Sequence, residues 1–261
     1  MKFDDLDERM RVYETAHDLC VLPGLFMVAR IDGRGFTRLT KEILSLEAPF
    51  DAGFRDHMLA TTEHLMDCGF QVLFAYSQSD EISLVLDRDE NAFGRKLRKL
   101  NSVLAGEASA KLSLRLGTLA AFDCRISQLP SVAILVDYLR WRSEDAHRNA
   151  LSAHCYWALR KLGRSARQAT HEVGGLSTAA KIELLGAQGG IDFDRLPGWQ
   201  TRGSGLYWEE YQKPAVNALT GEAVLASRRR IKRNLELPAG EAYGVFLREI
   251  LAEPGQGGER G

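Results

Sequence analysis

The sequence predicts an α+β fold of the ferredoxin-like kind, with the element order β-α-β-β-α-β and a mainly antiparallel sheet. Short apolar runs rich in β-branched residues alternate, in the first half of the chain, with two segments of helical periodicity. Two of these runs are separated only by a polar turn, which indicates a hairpin. This order is that of a split βαβ unit, in which both helices cover one face of the sheet.

The first strand and first helix come from the amino-terminal quarter of the chain. LFMVARI, residues 25–31, is predicted to be a buried strand, and the following DGRG to be a turn. Residues 51–67 place apolar side chains at helical spacing, namely Phe54, Met58, Leu65 and Met66.

The hairpin and the second helix complete the unit. FQVLFAY and ISLVL, residues 70–76 and 82–86, form the hairpin. Residues 91–116 predict a long helix that Gly117 ends. Its inward side chains are Phe93, Leu97, Leu100, Leu104 and Leu112. LAAFDCRI, residues 119–126, is the fourth strand.

A second region follows Pro130. It contains a long helix over about residues 132–161 and a shorter one in STAAKIELLG. A Trp/Gly-rich loop, a hairpin of GLYWEEYQKPAV with AVLASRRRIKRNLEL, and a terminal helix AYGVFLREIL come after it. We therefore expect a catalytic core over residues 1–130, a region over 131–252 that completes the site, and a disordered tail over 253–261.

Composition excludes several classes of protein. The 34 basic and 35 acidic residues among 261 give a net charge of −1, so no global basic field indicates nucleic acid, although local patches can supply phosphate contacts. The four cysteines are far apart and form no CxxC pair, which argues against structural zinc. The amino terminus lacks an apolar core, and no stretch is long enough to span a membrane. We expect a cytoplasmic protein.

Acidic residues fall at one predicted end of the sheet. Asp32 follows the first strand, and Asp80 and Glu81 lie at the hairpin tip, in AYSQSDEISLVL. Because the first strand and the hairpin are neighbours in this topology, these acids should converge. Carboxylates with a backbone carbonyl, such as that of Gly33, suit Mg²⁺, and paired ions assist phosphoryl transfer. The alternative is that each acid belongs to an ordinary turn.

Two basic clusters have two interpretations each. Arg95, Lys96, Arg98 and Lys99 crowd the first turns of the second helix, either as a solvated face or as a triphosphate-binding group. SRRRIKR, residues 227–233, is either a solvated strand edge or a strip that contacts an RNA backbone. No P-loop motif is present.

Five motifs together resemble one family. RIDGRGF, SQSDEISLVL, FGRKLRKL, AGEASAKLS and DYLRWRSEDAHRNAL…YWALRK are similar, in order and spacing, to the tRNA-His guanylyltransferase family. The resemblance runs from about Asp7 to Leu251 and is nearest to the guanylyltransferase-like proteins of bacteria and archaea. It implies a domain like the polymerase palm and a nucleotidyltransferase that extends the 5′ end of tRNA, in the 3′-to-5′ direction.

The resemblance also implies roles for residues. Asp32, Asp80 and the carbonyl of Gly33 would bind two Mg²⁺ ions, with Glu81 as a third catalytic acid. The nucleotide-binding positions would be Gly33, Arg34, Gly35, Phe36, Ser79, Lys96 and Lys99. The phosphate- and tRNA-binding positions would be Arg95, Arg125, His147, Asn149, Lys181, Arg228, Arg229 and Arg230. Expected partners are tRNA, ATP and GTP or other nucleotides, and further copies of the chain in a tetramer.

Two departures from the family pattern bear on substrate choice. His147-Arg148-Asn149-Ala150 stands where eukaryotic members have His-x-Asn-Asn, which favours templated repair of several tRNAs over addition of one G to tRNA-His. Ala48 replaces a lysine expected before Pro49, so the activating nucleotide is left open. A nucleotidyl cyclase and a non-catalytic RNA-binding relative are the alternatives. The basic, Trp-rich second region argues against the first, and the intact acids against the second.

Overall fold

A six-stranded antiparallel sheet forms the centre of the computed structural model, which describes residues 2–216 and 221–252. The strands are β1 (Phe26–Arg34), β2 (Val72–Gln78), β3 (Glu81–Leu86), β4 (Ala121–Leu129), β5 (Ser204–Val216) and β6 (Ala223–Asn234). They lie in the order β4-β1-β3-β2-β5-β6, and the first four have the predicted ferredoxin-like order. The α+β prediction is confirmed.

Helices cover both faces of the sheet. They are α1 (Phe3–Thr15), α2 (Phe36–Arg38), α3 (Ala52–Met66), α4 (Leu97–Leu116), α5 (Val132–Lys161), α6 (Ala166–Gly174), α7 (Thr178–Leu184), α8 (Gly198–Thr201) and α9 (Gly240–Leu251). As predicted, α3 and α4 share one face and bury one side of β1 there, including Ile31. α5 and α9 cover the other face and bury Val28. Because side chains alternate along a strand, Arg30 and Asp32 belong to the α5 face.

The second region continues the first rather than standing apart from it. β5 is hydrogen-bonded to β2 over four residue pairs, from Phe74 with Tyr207 to Ser77 with Ser204. One sheet therefore contains strands from both sides of residue 130. The domain boundary expected near that residue stays a prediction. In the described part of the chain, no helix is both long and apolar enough to cross a membrane. The tail predicted over 253–261 lies outside the described residues.

Three local predictions need correction. The segment predicted as the turn DGRG belongs mostly to β1, which ends at Arg34, and the chain turns at Gly35, where φ is +73°. The second helix begins at Leu97, because Phe93 and the next two residues have positive φ. Phe93 is 48% exposed and does not face the core. The sequence analysis also missed α1, which buries none of its residues and so lacks a core-facing stripe.

Arg95 was predicted to bind phosphate, and the structure contradicts this. Its side chain is only 6% exposed. Its guanidinium donates five hydrogen bonds to backbone carbonyls that precede β1 or follow β3, those of Val21, Leu22, Leu25, Arg88 and Glu90. Arg95 therefore fixes two loops to each other.

Candidate active site

The hairpin tip brings the three predicted acids to one end of the sheet. Gln78 pairs with Glu81 across a two-residue turn, in which Ser79 has a φ of +54°. Asp32 lies directly opposite Glu81 in the β1–β3 ladder. The amide of Gly33 donates to the carbonyl of Asp80 at 3.1 Å, which joins the end of β1 to the turn.

Asp80 lies against the end of β1 because residue 33 is a glycine. A Cβ at Gly33 would lie 2.5 Å from the ring of Phe36 and 2.8 Å from Asp80 Oδ2, so a side chain there would displace the ring, the carboxylate or both. Burial raises the pKa of Asp80, and the nearby charges of Asp32 and Glu81 add to the effect. Two carboxylates in this position favour a bound cation.

Glu81 has a different environment. Arg142 of α5 donates to both of its carboxylate oxygens, at 2.8 and 2.7 Å, and the Nε of Arg30 lies 2.9 Å away. Arg30 also contacts Asp32 Oδ2 at 3.2 Å, while Arg142 contacts Asp145 at 3.3 Å. Glu81 therefore joins the sheet to α5 through buried ion pairs. This placement suits a positioning residue better than the catalytic acid expected from the sequence.

The donor set at the sheet end is small. Within residues 2–216 and 221–252, no group of three or more His, Cys, Asp or Glu side chains is arranged to hold a metal ion. Asp32 and Asp80 provide two carboxylates, and Gly33 provides a backbone carbonyl at the same place. These are hard oxygen donors, so the set fits Mg²⁺ that takes its other ligands from phosphates and water.

A cavity of about 390 Å³ opens beside these acids. Its walls are the hairpin tip, α2 with the π-helical turn that follows it (Leu39–Ile43), the start of α3, and α5. A smaller, more apolar compartment of about 110 Å³ adjoins it and is lined by Phe50, Trp157 and Trp199 among others. Apolar walls with a few charged groups are typical of sites for small molecules.

Several predicted residues line or flank this cavity. Phe36, Ser79 and Asn149 are in its wall. The amide of Asn149 donates to Asp145 at 3.3 Å. Arg125 of β4 lies 3.6 Å from Asp32 Oδ2, at the side of the acids. Arg34 and Gly35 end β1 next to them.

Lys96 and Lys99 lie at the opposite end of the sheet. Lys96 pairs with Cys20, before β1 begins, and its ammonium forms an ion pair with Asp18 at 2.7 Å. Asp32 is near the other end of β1, roughly 20 Å away at a strand rise of about 3.3 Å per residue. Within one chain, these lysines and the two acids cannot contact the same triphosphate.

His147, on α5, and Lys181, on α7, both lie away from the wall of the cavity. The ring of His147 packs against Phe193 at 5.1 Å, and burial, then the charge of Arg202, lower its pKa. Lys181 of α7 donates to the hydroxyl of Ser152 at 3.0 Å. Neither residue lines the cavity.

Arg228, Arg229 and Arg230 belong to a ribbon in which β5 and β6 continue beyond β2. Arg229 stacks on Trp208 at 4.3 Å, and Arg230 forms an ion pair with Glu209 at 2.7 Å. Arg228 is exposed opposite Tyr211. The ribbon is a basic surface separate from the cavity.

Sequence reasoning did not assign roles to Arg30, Lys41, Arg142, Asp145 and Trp157. Arg30 could have been found, because the i,i+2 spacing on β1 puts it on the same face as Asp32. The pairing of Arg142 with Glu81 spans 61 residues and leaves no local signal.

His154 of α5 lies behind the cavity, and we expect it to make the fold sensitive to acid. It packs against Phe50 and Phe193, and burial, then Lys161, lowers its pKa to about 4. The unfolded chain therefore binds a proton more readily, so stability is lost as pH falls from about 6.5 to about 4. His154→Gln should reduce that loss by about 2 kcal/mol in urea titrations. The exposed His171→Gln is the control, and an equal effect of both would contradict the prediction.

The sheet with paired acids at one end, beside a cavity for a small molecule, defines a nucleotidyltransferase with a polymerase-palm-like fold. A family model described as tRNA-His guanylyltransferase matches residues 7–130, and one described as the Thg1 C-terminal domain matches residues 133–238. The chain belongs to the tRNA-His guanylyltransferase family, as the sequence motifs predicted.

Curated relatives and solved structures agree. A probable tRNA(His) guanylyltransferase of Mus musculus is 30% identical over 265 residues, which cover 94% of this chain and 88% of the relative. A bacterial tRNA(His) guanylyltransferase-like protein in complex with ATP has a TM-score of 0.71 at 25% identity, covering 94% of this chain and 98% of its own. The same kind of protein in complex with GTP gives 0.69 at 26%, covering 95% and 99%.

Proposed function

We propose that this enzyme adds nucleotides to the 5′ end of tRNA in the 3′-to-5′ direction and restores nucleotides missing from truncated tRNAs. The observation that carries the proposal is the position of Asp32 and Asp80 in a nucleotide-sized cavity, next to α5. The family and the ATP- and GTP-bound relatives support nucleotides and tRNA as its substrates.

The chemistry consists of two phosphoryl transfers. First, a 5′-phosphate oxygen of the tRNA attacks the α-phosphorus of ATP, and pyrophosphate leaves. Second, the 3′-hydroxyl oxygen of an incoming nucleotide attacks the activated 5′-phosphorus, AMP leaves, and the hydroxyl proton passes to solvent. Such transfers depend on positioning and charge neutralisation more than on a protein base. The added nucleotide becomes the new 5′ end.

Asp32, Asp80 and the carbonyl of Gly33 are the groups that would hold Mg²⁺, with two ions proposed. When bound there, Mg²⁺ neutralises phosphate charge and polarises the attacking oxygen. The chain itself holds the acids at one sheet end through the Gly33 amide and keeps Glu81 engaged with α5. The exposed arginines of the β5–β6 ribbon, Arg228 above all, are proposed to contact the RNA backbone.

Nucleotide choice is proposed to come from pairing with the opposite RNA strand. Ala150 lines the cavity at the end of the His147–Ala150 stretch and offers only a methyl group. A site without a polar group at this position is suited to any base that pairs with the template, because Watson–Crick pairing itself positions the reacting hydroxyl.

A truncated tRNA with a changed opposing base tests this proposal. With C opposite the missing position, we expect G to be added, and with A opposite we expect U, on more than one tRNA. Labelled tRNA is incubated with ATP, Mg²⁺ and one nucleotide at a time, and the products are separated by gel. Continued G addition confined to tRNA-His would refute templating. Cyclic nucleotide formation without tRNA extension would refute tRNA as the substrate.

A further inference from the structure

The larger cavity carries more acidic than basic side chains. Its charged lining consists of four acidic residues, Asp32, Asp80, Glu81 and Asp145, and two basic residues, Arg142 and Lys41. The ion pairs with Glu81 and Asp145 neutralise Arg142. Lys41 is therefore the cation whose charge remains available on this wall for an anionic ligand.

Lys41 is held by aromatic rings instead of a carboxylate. It lies in the π-helical turn Leu39–Ile43, and its ammonium is 5.7 Å from the ring centroid of Tyr156 and 5.4 Å from that of Trp157. In the part of the chain that the structure describes, it makes no ion pair. Cation–π contacts orient an ammonium without cancelling its charge. Single π-helical turns are frequent at functional sites.

Lys41 lies between the two spaces of the site. It lines both the larger cavity beside Asp32 and Asp80 and the smaller compartment that contains Ala48 and Trp199. A polyanion that enters the larger cavity meets the carboxylate of Asp80, which makes no ion pair in the part of the chain that the structure describes, whereas the other three acids of the lining are paired with arginines. A lysine at the junction of the two spaces can offset part of that repulsion by donating to phosphate oxygens.

We propose that Lys41 binds the phosphate chain of the nucleoside triphosphate in this cavity. The inference rests on the proposed function, since it assigns the ligand of the same site. It predicts that the ammonium charge, and not only the packing of its aliphatic stem on Trp157, is needed for nucleotide affinity.

Direct titration with a fluorescent ATP analogue, without tRNA and in the presence of Mg²⁺, tests the proposal. We expect Lys41→Met to weaken binding at least tenfold, because it keeps the stem but removes the charge. Lys41→Arg should stay within about threefold of wild type, since the charge remains. Lys111→Met, on α4 and outside both spaces, is the matched control and should bind like wild type.

Introducing a lysine at a different position of the same compartment tests whether the positive charge itself is what binds the nucleotide. Ala48 lines the compartment that Lys41 also lines, so Lys41→Met combined with Ala48→Lys should recover at least half of the lost binding energy. Thermal unfolding of each variant shows whether it folds, and Lys41→Gln replaces the methionine variant if that one does not. Binding equal to wild type by the charge-free variant would overturn the proposal, as would a melting-temperature loss without an affinity loss. Normal nucleotide binding without tRNA extension by wild type would count against the proposed function alone.

Discussion

Asp80→Asn is expected to abolish nucleotide addition while leaving the metal-free fold at least as stable as wild type. The carboxylate charge is needed to bind a cation and phosphate at the sheet end, and several kcal/mol of charge stabilisation correspond to a loss of about a thousandfold or more. The amide keeps the size of the side chain and its acceptor oxygen for the Ser79 hydroxyl.

Asp80→Asn should not lower the free energy of unfolding, whereas replacing an acid that stabilises the fold would lower it. Burial raises the pKa of Asp80, so the folded state binds its proton more tightly than the unfolded chain does. Stability from this group is therefore lost as pH rises from the ordinary to the raised pKa. Asparagine does not ionise, so at pH 7 in EDTA the variant should be at least as stable as wild type in urea denaturation.

Two measurements check this prediction, with Asp123→Asn as the control. Asp123 lies opposite Asp32 in the β1–β4 ladder but is largely exposed and outside the cavity. Single-turnover tRNA extension should be lost only in the Asp80 variant. Mg²⁺ should raise the melting temperature of wild type and of the control, but not that of Asp80→Asn. An active variant, or one that unfolds in EDTA, would show that the acid serves the turn.

Arg142→Met is expected to lower the free energy of unfolding by about 3 kcal/mol, because it leaves part of a buried carboxylate charge unpaired. Arg142 is 8% exposed and donates two hydrogen bonds to Glu81. Arg30 keeps one contact with Glu81 in the variant, which limits the loss. Arg142→Lys should recover little, since an ammonium cannot make both hydrogen bonds in the same geometry.

The matched control is on the same helix. Arg140→Met removes a more exposed ion pair with Glu241, and its cost should stay below about 1 kcal/mol. Urea denaturation of both variants, and of Glu81→Gln alone and combined with Arg142→Met, gives the coupling energy between the two side chains. Equal losses at positions 140 and 142, or costs of the two substitutions that simply add, would contradict a buried coupled pair.

The sequence predicted the order of the sheet and the meeting of its acids for a physical reason. In a split βαβ unit, the first strand must lie beside the hairpin, so Asp32 and Asp80 reach the same sheet end. The same topology shows why Lys96 and Lys99 lie far from these acids within one chain. β3 runs away from the hairpin tip, so the helix after it begins at the far end of the sheet. The triphosphate-binding role that the family resemblance implies for these lysines stays a prediction.

Other features lay beyond sequence reasoning because they depend on contacts between distant segments. The positive φ values from Phe93 to Arg95 follow from the burial of Arg95 among carbonyls of two loops, and neither loop marks this in its own composition. The aromatic contacts of Lys41 require α5 to cross the π-helical turn, more than a hundred residues away in sequence.

The strand pairing between β2 and β5 has a consequence for where this chain can be divided. The two family models meet between residues 130 and 133, yet a strand from the later segment extends the sheet of the earlier one. Separated from its partner, the first segment would expose the edge of β2 and the apolar face that α5 covers, which is a surface prone to aggregation. Neither segment is therefore expected to fold as a separate unit, because the shared sheet and the face under α5 need residues from both.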